Sequence, residues 1–120
     1  MKTIEKLRKE ADKLFYLYVM QLHNNCCEIC GEQAVTAHHF ILKSQSAELR
    51  YNPENGISIC NRCHCKIHIQ ADMETINRII TIRGQEWADN LYKIKNQVFK
   101  KYRGINYYKD IIKQLKEPAN

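Results

Sequence analysis

Two short cysteine pairs, Cys27-x2-Cys30 and Cys60-x2-Cys63, constrain what this chain can fold into more than any other feature. Each pair places two thiols on a tight turn where both sulfurs can meet one ion, and a 29-residue insert separates the pairs. Such spacing is a strong zinc signature. Four of the five histidines fall in the same stretch, as the adjacent His38 and His39 and as His64-x3-His68. Two metal sites with different jobs are therefore implied. Gly31 follows the first pair and can take the positive φ that turns amides toward thiolates. Cys26 and Cys65 are left over. A Cys26-x3-Cys30 pairing is conceivable, but Gly31 fits the Cys27 pairing better, so Cys26 is expected to be a packed thiol and Cys65 to be buried or idle.

Composition narrows the class. At 120 residues and 44% hydrophobic the chain is one domain's worth and can bury a modest core, to which a bound zinc would still matter. The N-terminal MKTIEKLRKEADKL reads as charged helix, not as an apolar signal segment, and no run of eighteen apolar residues exists. The expectation is a soluble, cytoplasmic protein with reduced, metal-bound thiols; a disulfide-bonded secreted domain is the minor reading. The net charge of +6 is uneven. Residues 1–25 carry five Lys/Arg and three Asp/Glu, residues 26–71 four and four, and residues 72–120 ten and six. The basic excess lies on the flanks, which suits a polyanion and nucleic acid first; solvated lysine faces are the competing reading.

In chain order, Ile4, Leu7, Ala11, Leu14, Tyr18 and Leu22 recur at spacings of three and four and predict an amphipathic helix over residues 3–22, capped by Thr3. Phe15, Tyr16 and Tyr18 are expected in its core face, and His23 at its end is given no chemistry. Residues 34–42 predict a strand and Gly56–Ile59 a second one, a hairpin with a long loop broken by Asn52-Pro53. A helix after Cys63 would stack His64 and His68 on one face, where two imidazoles can chelate one ion. Adjacent strand residues project to opposite sides, so His38 and His39 cannot bind one ion equally. Asp72 is read as the cap of a helix over Met73–Arg83 that Gly84 stops. A further helix carries Trp87, Leu91 and Ile94, with Trp87 in the core. Asn106 is read as the cap of a last helix before Pro118 ends order. Lys93, Lys95, Lys100, Lys101 and Arg103 make the candidate DNA-binding surface.

The order of these residues, His-His, a loop, Asn55, then Cys-x2-Cys-His-x3-His within two C-x2-C pairs, resembles the HNH endonucleases. The resemblance covers residues 26–68, with His39, Asn55 and His64 as its motif residues. It implies an α+β protein with a ββα-metal (His-Me finger) core and a four-Cys zinc, flanked by helices at both ends. The chain would then divide into an N-terminal helix (1–25), the core (26–71) and a basic helical tail (72–120) of one nuclease domain. A narrower resemblance, carried by LRYNPENGISIC and the tail from Gln85-Glu86-Trp87 to Ile111-Ile112-Lys113, is to phage recombination nucleases of the NinG/Rap type. His38 before His39, and Cys63-His64 with His68, depart from that pattern toward HNH enzymes in general.

The resemblance implies metal-dependent hydrolysis of DNA phosphodiester bonds, on duplex or branched recombination intermediates. It makes His39 the general base, for which an imidazole suits neutral pH. His38, His64 and His68 would hold the catalytic divalent cation, Mg2+, Mn2+, Ni2+ or Zn2+, with positions left open for water and a phosphate oxygen. Asn55 would tie the loop together through backbone hydrogen bonds, the plain alternative being a turn residue before Gly56. Cys27, Cys30, Cys60 and Cys63 would hold the structural zinc. DNA is the expected partner, a homodimer is a further expectation, and no membrane is involved. A zinc-stapled nucleic-acid-binding module without catalysis is the alternative of another class.

Overall fold

In the computed structural model, which describes residues 2–117, the chain opens on helix α1 (Ile4–Leu22). Thr3 caps it by accepting from the Lys6 amide at 3.2 Å, satisfying one of the donors a helix start leaves free. The apolar stripe buries Leu7, Ala11, Phe15 and Val19. Tyr16, expected in the core, is 37% exposed instead. One residue past Phe15 it lies about 100° further around the helix and misses the stripe.

Strands β1 (Thr36–His39) and β2 (Gly56–Ile59) pair antiparallel, with Thr36 opposite Ile59 and His39 opposite Gly56. The strand expected over 34–42 is thus shorter than its composition suggests. Asn55 is the reason: its side chain accepts from the Ile41 amide at 2.7 Å and donates to the Ile41 carbonyl at 2.9 Å, taking both ladder groups away from a strand. The loop from Phe40 then runs inward, burying Ile41 and Leu49, and re-enters β2 through a single 3-10 turn at Pro53–Asn55.

Four helices follow: α2 (Asn61–His68), α3 (Met73–Arg83), α4 (Gln85–Asn96) and α5 (Ile105–Lys116). The fold is therefore α+β, a small β1-β2-α2 unit between an N-terminal helix and C-terminal helices. Asp72 caps α3, and Gly84 ends it at φ 99°, where a side chain would be strained. The last helix begins one residue before Asn106, after Gly104, so Asn106 lies in its first turn and not at its cap. Pro118, read as the end of order, lies outside the described residues. Trp87 is half-buried, not fully in the core; it packs on Phe40 and donates through Nε1 to the Glu54 carbonyl at 2.8 Å.

Two packed regions set the geometry of the middle. The first joins α1, α5 and the loop residue Tyr51 through Leu7, Ala11, Phe15, Val19, Tyr108, Ile112 and Leu115. The second gathers Ile57, Ile59 and Ile79 around Cys27, Cys60 and Cys63. Gly56 lets the two regions meet: a Cβ there would run into Val19 and Phe15, so α1 can lie on the start of β2 only if residue 56 has no side chain. Among the described residues, no helix is long and apolar enough to cross a membrane.

Candidate functional site

The first knuckle folds as its residues dictate. Gly31 takes φ 80°, its amide donates to the Cys27 carbonyl at 2.9 Å, and the Cys27 amide donates to the Glu32 carbonyl at 2.6 Å. The second pair opens α2, where Cys60 is the N-cap and its sulfur accepts from the Cys63 amide at 3.4 Å. The four sulfurs lie within 4.8 Å of one another, and Cys30 Sγ and Cys60 Sγ are 3.5 Å apart. Sulfurs around a tetrahedral zinc at about 2.3 Å stand about 3.8 Å apart. The donor set thus fits one zinc in size and softness. Backbone hydrogen bonding at Glu32 holds the Cys30 thiol down at about 7, whereas burial pushes the Cys63 thiol up. Of the two spare cysteines, Cys26 is exposed and not packed, its thiol turned toward the Asn24 carbonyl; Cys65 is half-buried.

The histidines divide between the two sides of β1. His38 faces α2, where its ring meets those of His64 and His68 edge-on, with centroids 5.7 Å and 4.8 Å away. The three offer nitrogens within 4.8 Å of one another, and Nδ1 of His38 is 3.1 Å from Nε2 of His68. Two nitrogens sharing a tetrahedral ion at about 2.0 Å stand about 3.3 Å apart. Burial, reinforced by His68 and His64, pushes His38 down to about 4, and burial likewise lowers His64. Neutral imidazoles are the form that ligates. The set grades from buried His38 to exposed His68, so one side of any ion held there is open.

His39 faces the other way, stacked on Phe15 at 4.7 Å between centroids and 15° between planes. Its Nε2 lies 2.8 Å from the Arg50 carbonyl. A carbonyl can only accept, so Nε2 carries the proton and Nδ1 keeps the lone pair. Burial, the largest influence, holds His39 below its ordinary value despite that carbonyl. Arg50 is itself fixed by a forked pair to Asp12, 2.8–3.1 Å long. Although they point to opposite sides of the strand, His38 and His39 both line one cleft of about 250 Å³ with His64, His68, Leu42 and Lys43.

Asn55 is fully buried, and its side chain bonds to backbone and to none of these rings. Besides its two bonds to Ile41 it donates to the Leu49 carbonyl at 3.2 Å, and its own carbonyl accepts from Phe40 at 2.9 Å. The segment carrying His39 is thereby closed onto the start of β2. On the basic tail, Lys93 and Lys100 are exposed and Lys95 lies over the Tyr92 ring. Lys101 and Arg103 instead meet Glu48 of the loop, at 2.7 Å and 3.5 Å. His23, given no chemistry from sequence, sits 3.4 Å from Glu28, whose carboxylate also takes Arg83 at 2.7 Å. Arg83 reaches on to the Gly56 carbonyl at 2.9 Å, linking the end of α3 to the first knuckle and β2.

Sequence reasoning missed Phe15, Asp12, Arg50 and Lys43. A helical stripe accounts for Phe15 without chemistry, and the Asp12–Arg50 pair spans 38 positions with no local signal. Lys43, four residues past His39, was the one within reach of a motif reading. No curated protein and no solved structure matches the chain. A family model does match residues 27–70, the stretch that carries both ligand sets, and its description is HNH endonuclease.

Proposed function

We propose that the protein is a metal-dependent endonuclease that hydrolyses DNA phosphodiester bonds in the cleft between β1 and α2. The observation that carries this reading is the pairing, in one cleft, of a three-imidazole donor set with a fourth imidazole whose tautomer is fixed. A binding module needs neither. Hydrolysis requires that water lose a proton as its oxygen bonds to phosphorus, and that charge on the departing 3′-oxygen be stabilised. His39 is the base: Nδ1 takes the water proton, and the Arg50 carbonyl stabilises the imidazolium through Nε2–H. Phe15 and the Asp12–Arg50 pair hold that ring in place. His38, His64 and His68 would hold a divalent cation, which supplies Lewis-acid charge to the phosphate when bound. Three imidazoles suit Zn2+ or Ni2+ better than Mn2+ or Mg2+, which favour oxygen ligands. Lys43 places a further positive charge beside the scissile phosphate. Cys27, Cys30, Cys60 and Cys63 would hold a structural zinc, and Asn55 keeps the base at its distance from α2.

Nicking of supercoiled plasmid with added Zn2+, Ni2+, Mn2+ or Mg2+ tests the reading. Cleavage that depends on one of these ions is expected; no cleavage of any nucleic acid with any of them overturns it in favour of the zinc-stapled binding module. A branched recombination substrate and a two-fold dimer with two clefts are finer readings supported by the sequence resemblance. Cleavage of duplex against four-way junction DNA, with light scattering for mass, tests both.

A further inference from the structure

Beside the histidine cleft lies a second cavity of about 340 Å³ that shares His38, Leu42 and His68 with it. The two adjoin at these side chains, so a strand whose phosphate reaches the histidines passes beside the second cavity. Its character is different. Ile67 and Ile76 line it, Ile79 beneath is 2% exposed, and Phe40 is braced by Trp87 at 4.7 Å and by Tyr92 at 6.1 Å between centroids. Tyr92 and Leu42 are 43% and 40% exposed and belong to the rim, as does the exposed Gln45. Lys95 lies over the Tyr92 ring at 5.8 Å, and Lys43 stands in the histidine cleft. Apolar walls, an aromatic rim, one amide and a lysine near each end form a set that a phosphate alone does not explain.

We propose that this cavity receives one unpaired nucleobase of the nucleotide flanking the scissile phosphate, which makes DNA with an unpaired nucleotide at the cut the substrate class; the proposal rests on the nuclease reading above. The volume is at the lower end of the roughly 300–1,000 Å³ of small-molecule sites, room for a base and its sugar. Aromatic and apolar surface takes any base by its face. The Gln45 amide offers a donor and an acceptor to a base edge. The lysines suit the phosphates on either side of the inserted nucleotide. A base paired and stacked in duplex must first leave the stack, so mismatched, single-stranded or branched DNA enters at lower cost.

The test is an abasic scan. A labelled strand with an unpaired segment is prepared with one base removed at each position in turn, and its cleavage by wild-type and Tyr92→Ala protein is measured. Binding of the same strands to His39→Ala protein, with and without Tyr92→Ala, is read by fluorescence anisotropy. One position next to the cut should lose about tenfold in both rate and affinity when its base is removed, and Tyr92→Ala should cause a similar loss and erase the dependence on that base. Tyr92→Phe should restore both. Cleavage that proceeds with no positional dependence, or that Tyr92→Ala leaves unchanged, overturns the base site and leaves the nuclease reading standing. Positional dependence in binding without any cleavage keeps the base site and overturns the nuclease reading. A Leu42→Asp variant that converts a dimer to a monomer in sedimentation, with the abasic profile flat, assigns the cavity to a second copy of the chain and overturns the proposal.

Discussion

The four-cysteine knuckle and the three-histidine cleft share the same short helix, α2, on which Cys63 and His64 are neighbours, and are built to opposite specifications. At the knuckle, Cys27, Cys60 and Cys63 are buried and four sulfurs lie within 4.8 Å of one another, enough donors to complete the shell of one zinc. At the cleft, among the described residues, three nitrogens converge, one of them on the exposed His68, and about 250 Å³ of open space adjoins them. A saturated, closed set of ligands contributes folding free energy; an unsaturated, open one can admit water and substrate. The knuckle thus determines where α2 begins, and α2 determines where His64 and His68 meet His38.

The comparison breaks first, and by the largest margin, at the knuckle. Cys63→Ser should release zinc and unfold the centre of the molecule, because structural zinc contributes about 10–16 kcal/mol of apparent binding free energy, as much as a whole domain's stability of about 5–15 kcal/mol. Metal content and a circular-dichroism melt check this; a cooperative melt at the wild-type temperature without zinc would mean that the knuckle is not what holds α2. At the cleft the opposite outcome is expected. His39→Ala should leave melt, zinc content and DNA binding unchanged while cleavage falls by about 10²–10⁴-fold at every metal concentration. His68→Ala should also fold, but its activity should recover partly as metal is raised, since a ligand and not the base is lost. Normal cleavage by His39→Ala, with His38→Ala inactive at all metal levels, would exchange the roles of the two residues.

Smaller effects sharpen the same contrast. Asp12→Asn loosens Arg50, whose carbonyl orients His39, and should lower kcat by about tenfold with KM unchanged, less than the roughly hundredfold that a 1 Å misplacement costs. A change confined to KM would show that the pair serves binding. The smallest effect is expected on the tail. Neutralising Lys101 and Arg103 together should reduce the slope of log affinity against log salt by less than the about two units of two free phosphate contacts, because both already face Glu48. Glu48→Gln should then tighten DNA binding; no change in either titration would mean that DNA does not reach this surface.

Much of the site was legible because its parts are local. A C-x2-C turn and a His-x3-His helix face each fix their ligand geometry within one turn of chain, so Cys27 with Cys30 and His64 with His68 could be paired on sight. Asn55 was legible through resemblance more than through physics; that it would take both backbone groups of Ile41 and shorten β1 by competition for the ladder was not. Gly56 read as the first residue of a strand, and its need to be glycine comes from Val19 and Phe15 of α1, far away in sequence. The tail read as a row of free cations because charge counting has no means of seeing Glu48 across from Lys101.

By itself, then, the sequence determined which atoms can be ligands and which segments must be helix, turn or strand, since these follow from spacing and from backbone chemistry within a few residues. Only the tertiary structure decided what those atoms do. Three imidazoles from two elements converge, the Arg50 carbonyl fixes the tautomer of His39, and Phe40 and Tyr92 frame an apolar cavity beside them. Each of these depends on a distance between residues remote in sequence, set by how α1, the hairpin and α4 pack, and packing carries no signature in any short stretch of the chain.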